Sequence, residues 1–264
     1  MLYKIRVFLL ILVISIINSA QAQENLIPMP LQAIWGKGRL DLSKGVHIKA
    51  GDKSLLKEYA FLKQIMKDWG IPILKKANVS QVPTLSLNLL KNRNLEEEGY
   101  DLMINKHEIN LSASTVKGLF YAIQTLKQFD IQGKSIQYAS IQDQPAFSWR
   151  AYLIDVGRNY QPIDMIKQQI DVMANYKLNV LHFHFTEDIA WRLASKKYPG
   201  LTDASVMTRW KGQFYTESEF KELIQYCKDR QITLLPEVDM PGHSAAFKRY
   251  FGVDMQSDSG MMYI

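Results

Sequence analysis

"ITLLPEVDMPGHS", residues 232–244, decides how this chain is read. An apolar run ends in a proline, two acids one residue apart, a Pro-Gly turn and a histidine. Polar groups are costly to bury without partners, so Glu237, Asp239 and His243 at the end of a buried-looking strand call for a common purpose. The two preceding apolar runs end in the same way. "AYLIDV" (151–156) delivers Asp155 and then Arg158, and "LNVLHFHF" (178–185) delivers His182, His184, Glu187 and Asp188. Helical patterns separate them. "PIDMIKQQIDVMANY" (162–176) carries Pro162 in its first turn and an apolar face of Ile163, Ile166, Ile170 and Met173. "TESEFKELIQYCKDR" (216–230) opens with a capping box, Thr216 with Glu219. Strand, helix, strand, helix, strand with near-continuous apolar strands predicts a parallel sheet covered on its faces. In such folds the chemistry lies beyond the carboxyl ends of the strands, where these three clusters converge.

The region upstream has a different grain. "LKEYAFLKQIMKDWG" (56–70) is an amphipathic helix closed by Gly70. "TLSLNL" (84–89), "YDLMIN" (100–105) and "EINLSA" (108–113) read as strands, and "STVKGLFYAIQTLKQF" (114–129) as a helix capped by Ser114 or Thr115. This is the pattern of a small α/β sandwich, with no gathering of catalytic side chains. "QDQPAFSW" (142–149) is the expected linker.

The first residues, "MLYKIRVFLLILVISIINSAQAQ", combine Lys4 and Arg6, an apolar core over 7–17 and the small-x-small site "AQA" at 20–22. That is the pattern of a cleaved export signal, and its apolar core is short for a membrane span. An exported protein is expected: periplasmic, surface-held or secreted, with no stable membrane span after cleavage. The division expected is 1–22 signal, 23–143 accessory α/β domain and 144–264 barrel domain. The 264 residues are 47% hydrophobic and 22% charged, with a net charge of +6. The Lys and Arg residues are scattered, which argues against a nucleic-acid partner. Cys227, the one cysteine, completes the helical apolar set Phe220, Leu223, Ile224, Cys227 and reads as a buried, inert thiol.

Two chemistries fit the three clusters. His182 and His184, two apart on one strand, face the same side, and with His243 and an acid they offer a zinc set. Alternatively, the clusters serve a sugar. Arg158 forks across two hydroxyls, Glu187 or Asp188 accepts from others, and Trp191 or Trp210 stacks on the ring or simply packs the loop. Glycoside hydrolysis ordinarily asks for two carboxyls across the scissile bond, and spacing alone does not say which acids those are.

"WRAYLIDVGRNYQP" (149–162), "YKLNVLHFHFTEDIAWR" (176–192) with "KKYPGLT" (196–202), and "LLPEVDMPGHSAAF" (234–247) resemble glycoside hydrolase family 20, the β-N-acetylhexosaminidases. "IPMPLQAIWGKGRLDL" (27–42) and "KGLFYAIQTLKQF" (117–129) are similar to the accessory domain that precedes the barrel in that family. The resemblance implies an α/β chain in which the accessory domain is followed by the first three βα units of a (β/α)8 barrel. It implies N-acetylhexosamine-terminated glycans as partners and no metal or organic cofactor. The implied mechanism is substrate-assisted, with the substrate's acetamide oxygen attacking the anomeric carbon. Arg158 matches the family arginine that holds ring hydroxyls, and His243 matches the histidine beside the acid/base glutamate. Glu187 stands where the family often has the first Asp of an Asp-Asp pair, and Asp188 matches the second. Asp155, His184, Glu237 and Asp239 are the expected support.

The family's adjacent Asp-Glu acid/base pair belongs some tens of residues beyond "PGH". Only 21 residues follow His243, and they contain no such pair. The expectation is therefore an incomplete barrel with little or no hydrolase activity of its own, poorly soluble or in need of a partner because three parallel strands leave edges open. A non-catalytic N-acetylhexosamine-binding protein is the alternative, and a metal-dependent barrel hydrolase using His182, His184 and His243 is a further one.

Overall fold

The computed structural model describes residues 26–74, 82–90, 95–254 and 257. The expected export signal lies outside them. Six strands form the first sheet: β1 (Gln32–Asp41), β2 (His47–Ala50), β3 (Thr84–Leu89), β4 (Tyr100–Ile104), β5 (Glu108–Ala113) and β6 (Ser135–Asp143). Their order is β1-β6-β4-β5-β3-β2. The pairs β2·β3 and β3·β5 are parallel, and the others are antiparallel. Alternation sorts their side chains. Leu85, Leu87, Leu102, Ile104, Ile109 and Leu111 are buried, whereas Met103 is exposed. Helices α1 (Leu56–Asp68) and α2 (Val116–Lys127) join the same core through Leu62, Met66, Leu119, Phe120 and Ile123. The Thr115 hydroxyl accepts from the Gly118 N–H at 3.0 Å, so Thr115, not Ser114, is the cap of α2.

The second sheet is the expected parallel one. Strand β7 (Ala151–Asp155) leads through α3 (Ile163–Asn175) to β8 (Val180–His184), and then through a long loop and α4 (Glu217–Lys228) to β9 (Thr233–Glu237). A short helix, α5 (Ala245–Phe251), follows. Three strand-to-helix steps in one parallel sheet are the first three βα units of a (β/α)8-type barrel. Pro162 stands one step outside α3, as its N-cap. The Thr216–Glu219 capping box of α4 is present in both directions. Ile166, Ile170, Met173, Leu223 and Cys227 are buried against the sheet. Tyr152, Leu153, Leu235 and Val238 remain exposed on the sheet and at its end.

The expected linker begins later than the sequence suggests. Gln142 and Asp143 belong to β6, and the segment leading from them to β7 is pinned at both ends. The Asp143 carboxylate accepts from Tyr100 Oη at 2.7 Å and from Lys177 Nζ at 2.8 Å. Glu98 binds Lys117 Nζ at 2.5 Å, a guanidinium nitrogen of Arg150 at 2.5 Å and the Asn179 amide at 3.1 Å. Burial pushes the Glu98 carboxyl up, but its three partners outweigh that and hold it below the usual range. Burial also lowers the Lys177 ammonium, against the pull of Asp143. This set of charges ties the two sheets together.

Candidate functional site

Strand register builds the floor of the site. Asp155 pairs with His184, and His184 with Glu237, so three polar side chains stand in one row across the carboxyl ends of β7, β8 and β9. Two residues back along the strands, Leu153, His182 and Leu235 are aligned. The two histidines face the same side, as expected, and share one acid. His184 Nδ1 lies 2.8 Å from Glu237 Oε1, and His182 Nε2 contacts Glu237 Oε2.

Glu187 is the hub above this floor. Its side chain is 3% exposed, and its Oε1 lies 2.5 Å from a terminal nitrogen of Arg158 and 2.7 Å from His243 Nδ1. These are close approaches of charge rather than aligned hydrogen bonds. Asp155 holds Arg158 from the other side, accepting from its backbone N–H at 2.9 Å and contacting its guanidinium. The side-chain hydrogen bond to Asp155 is the main reason the guanidinium's proton affinity is raised further, with the Asp155, Glu187 and Asp188 charges adding to it. The Arg158 side chain is still 46% exposed, so donors remain available. His243 Nδ1 is also 3.2 Å from an Arg158 nitrogen. One ring nitrogen cannot donate to Glu187 and accept from Arg158 together.

Gly157 makes room for the Glu187 side chain. A Cβ on Gly157 would fall 2.9 Å from both Cβ and Cγ of Glu187. The turn of β7 therefore lets the inner part of the Glu187 side chain lie against bare backbone. His243 itself has φ +51, a left-handed conformation uncommon for residues with side chains.

The remaining expected residues stand around this hub. Asp188 Oδ1 accepts from the Ala245 N–H at 3.0 Å, capping α5 from a distance because Ser244 makes no side-chain cap. The Asp239 backbone N–H donates to Thr186 Oγ1 at 2.9 Å, and the Asp239 carboxylate is 3.9 Å from His243. The tryptophans part company. Trp191 donates to Leu193 O at 2.8 Å and meets Phe185 edge-on at 5.8 Å, so it packs the loop onto the core. Trp210 is 54% exposed.

Arg192 is a residue that sequence reasoning passed over. It is fully buried and holds backbone carbonyls on both the β7 turn and the long loop. The only sequence signal was its neighbourhood, because arginine is ordinarily a surface residue.

Among the described residues, three groups come close enough to share a cation: Asp155, His184 and Glu187; His184, Glu237 and Asp239; and Glu187, Asp188 and His243. The zinc set His182, His184 and His243 is not among them, and no group offers more than one imidazole. In the first and third, the Arg158 guanidinium already supplies the positive charge facing Glu187.

Residues 147–258 match the family described as Glycosyl hydrolase family 20, catalytic domain, and residues 23–144 match domain 2 of the same family. The chain belongs to glycosyl hydrolase family 20. Its relatives include a beta-hexosaminidase of Porphyromonas gingivalis, 38% identical over 168 residues, covering 58% of this chain and 22% of that protein. Beta-hexosaminidase 1 of Arabidopsis thaliana is 34% identical over 217 residues, covering 75% of this chain and 37% of that protein. Among solved structures, the beta-N-acetylhexosaminidase of Bacteroides fragilis superposes with a TM-score of 0.78 at 29% identity, covering 91% of this chain and 53% of that one. A mutant Streptomyces plicatus beta-hexosaminidase in complex with its product GlcNAc superposes equally, at 0.78 and 26% identity, covering 91% and 51%. The chain thus spans about half, or less, of the length of these family 20 relatives. No helix among the described residues is long and apolar enough to cross a membrane.

Proposed function

We propose that this family 20 chain is the substrate-holding part of an exported β-N-acetylhexosaminidase that releases terminal, non-reducing β-linked N-acetylglucosamine or N-acetylgalactosamine. The observation that carries the reading is the Asp155–Arg158–Glu187–His243 constellation at the strand ends. Two acids aim a half-exposed guanidinium outward, and its free N–H groups suit a pair of vicinal hydroxyls. Glu187, buried between Arg158 and His243, sets the pose of both. The GlcNAc complex of the Streptomyces plicatus relative supports the choice of sugar.

The proposed reaction is substrate-assisted and retaining. The acetamide oxygen of the bound sugar attacks its own anomeric carbon as an acid protonates the leaving oxygen, and the same group, now a base, then activates water. Arg158 contributes orientation, since holding a reacting group in an attack-ready pose removes much of the entropic barrier. These 264 residues contain no Asp-Glu dipeptide. The polypeptide alone is therefore proposed to bind the sugar without turning it over, the behaviour also expected of a non-catalytic N-acetylhexosamine-binding protein.

Two measurements test this on the 264-residue polypeptide. N-acetylglucosamine is titrated against the protein and against Arg158→Ala, and nitrophenol release from a nitrophenyl β-N-acetylglucosaminide is followed in parallel. Binding that is lost in the variant, without nitrophenol release, supports the reading. Absence of binding sinks the assignment of the site, and sustained release sinks the claim that binding and turnover separate here.

A further inference from the structure

We infer that Arg192 is a positioning residue, which sets the pose of Arg158 by stapling the turn of β7 to the exposed part of the long loop. This rests on the reading of Arg158 as the sugar-holding residue. Arg192 is the largest fully buried side chain among the described residues, at 0% exposure. Among those residues its guanidinium meets no carboxylate. Nε donates to Val156 O at 3.2 Å and Gly157 O at 3.3 Å, the two carbonyls directly before Arg158. One terminal nitrogen donates to Trp210 O and Gln213 O, both at 2.9 Å, and lies 3.3 Å from Met207 Sδ. The other donates to Arg209 O at 2.9 Å.

The arrangement has a physical logic. Residues 208–213 are exposed and contribute no side chain to the core, so hydrophobic burial cannot hold them. A planar fork with donors on three nitrogens reaches the two segments in different directions, which a lysine ammonium cannot do. Burying the guanidinium lowers its proton affinity, partly offset by Tyr215 and Tyr160, and the five carbonyls together replace its lost hydration. A second, surface tie runs parallel, from Arg209 to Asn159 Oδ1 at 3.2 Å. The Arg158 turn is therefore held from outside its own strand by Glu187, which meets the guanidinium, and by Arg192, which holds the backbone just before it.

The experiment compares Arg192→Lys, Arg192→Met and Arg209→Ala with Leu223→Ala, which empties a buried position of α4 away from the site. Three readings are taken on the 264-residue polypeptide: tryptic cleavage after Arg209 and Lys211, phenylglyoxal modification of Arg158 by peptide mapping, and affinity for N-acetylglucosamine. Both Arg192 variants should speed loop cleavage by about tenfold or more, since cleavage follows the open population. They should also change Arg158 reactivity and weaken the sugar. Arg209→Ala, which leaves the core intact, should shift the readings the same way by less, with cleavage followed at Lys211. Leu223→Ala, compared at matched thermal stability, should leave loop cleavage and Arg158 reactivity as in the parent. The inference is overturned if Arg192→Lys behaves as the parent, or if Leu223→Ala reproduces the Arg192 pattern. If the parent binds no sugar, the functional reading falls, while loop cleavage and Arg158 reactivity still decide the role of Arg192.

Discussion

The Glu187 carboxylate lies 2.7 Å from Nδ1 of His243, joining the end of the second barrel strand to the loop after the third. The same oxygen lies 2.5 Å from Arg158. Glu187→Gln removes the charge that both partners face while preserving shape. Sugar affinity should fall by about tenfold or more, because the half-exposed Arg158 and His243 lose the buried acid that aims them. Glu187→Asp keeps the charge and should stay within about threefold of the parent. Titration calorimetry separates the two, and a larger loss for Glu187→Asp than for Glu187→Gln would show that length, not charge, matters at this position.

Gly157→Ala tests the room that Glu187 needs. The new methyl would stand 2.9 Å from two Glu187 carbons, so the side chain must swing away from His243 or the turn must shift. Overpacking of this kind costs about 1–3 kcal/mol. Both the melting temperature and sugar affinity should drop, and unchanged values would mean that the clash is relieved elsewhere.

Glu98 makes the junction of the two sheets acid-sensitive. Burial raises this carboxyl, Lys117, Arg150 and Asn179 lower it more, and the net shift is downward. A depressed carboxyl contributes stability that is fully present above its unfolded pKa and disappears as pH falls through the folded one. Thermal melts from about pH 7 down to about pH 3 should therefore show a loss that Glu98→Gln flattens. Glu98→Ala should cost about 3–5 kcal/mol near neutrality, because Arg150 and Lys117 lose a buried counter-charge.

Cys227 should be silent. It is fully buried, and burial pushes its thiol up to about 12, against a smaller opposing pull from Arg230. A thiol reagent at neutral pH should leave it unmodified in the native protein and titrate it after denaturation. Rapid native reaction would show that α4 detaches from the sheet.

Much of this was legible in the sequence, for local reasons. The apolar runs marked the strands and the spacing marked the helices. The Thr216–Glu219 box set the start of α4, and the polar endings of three strands marked the edge where the candidate residues gather. The cap of α2 was narrowed to two residues, and one short hydrogen bond selects Thr115. The linker was misjudged at its start because Gln142 and Asp143, polar in sequence, are paired in register with Gln32, Asp101 and Tyr100.

Local patterns thus set the order of the elements, the faces they bury and the end of the sheet where chemistry gathers, because periodicity and capping act over a few residues. Long-range packing was needed to settle three other points. It separates the tryptophan that packs from the one that is exposed. It sets Glu187 against Gly157, where a side chain would collide. It puts Arg192 inside. Each of these depends on atoms brought together from distant parts of the chain, and no local pattern encodes that proximity.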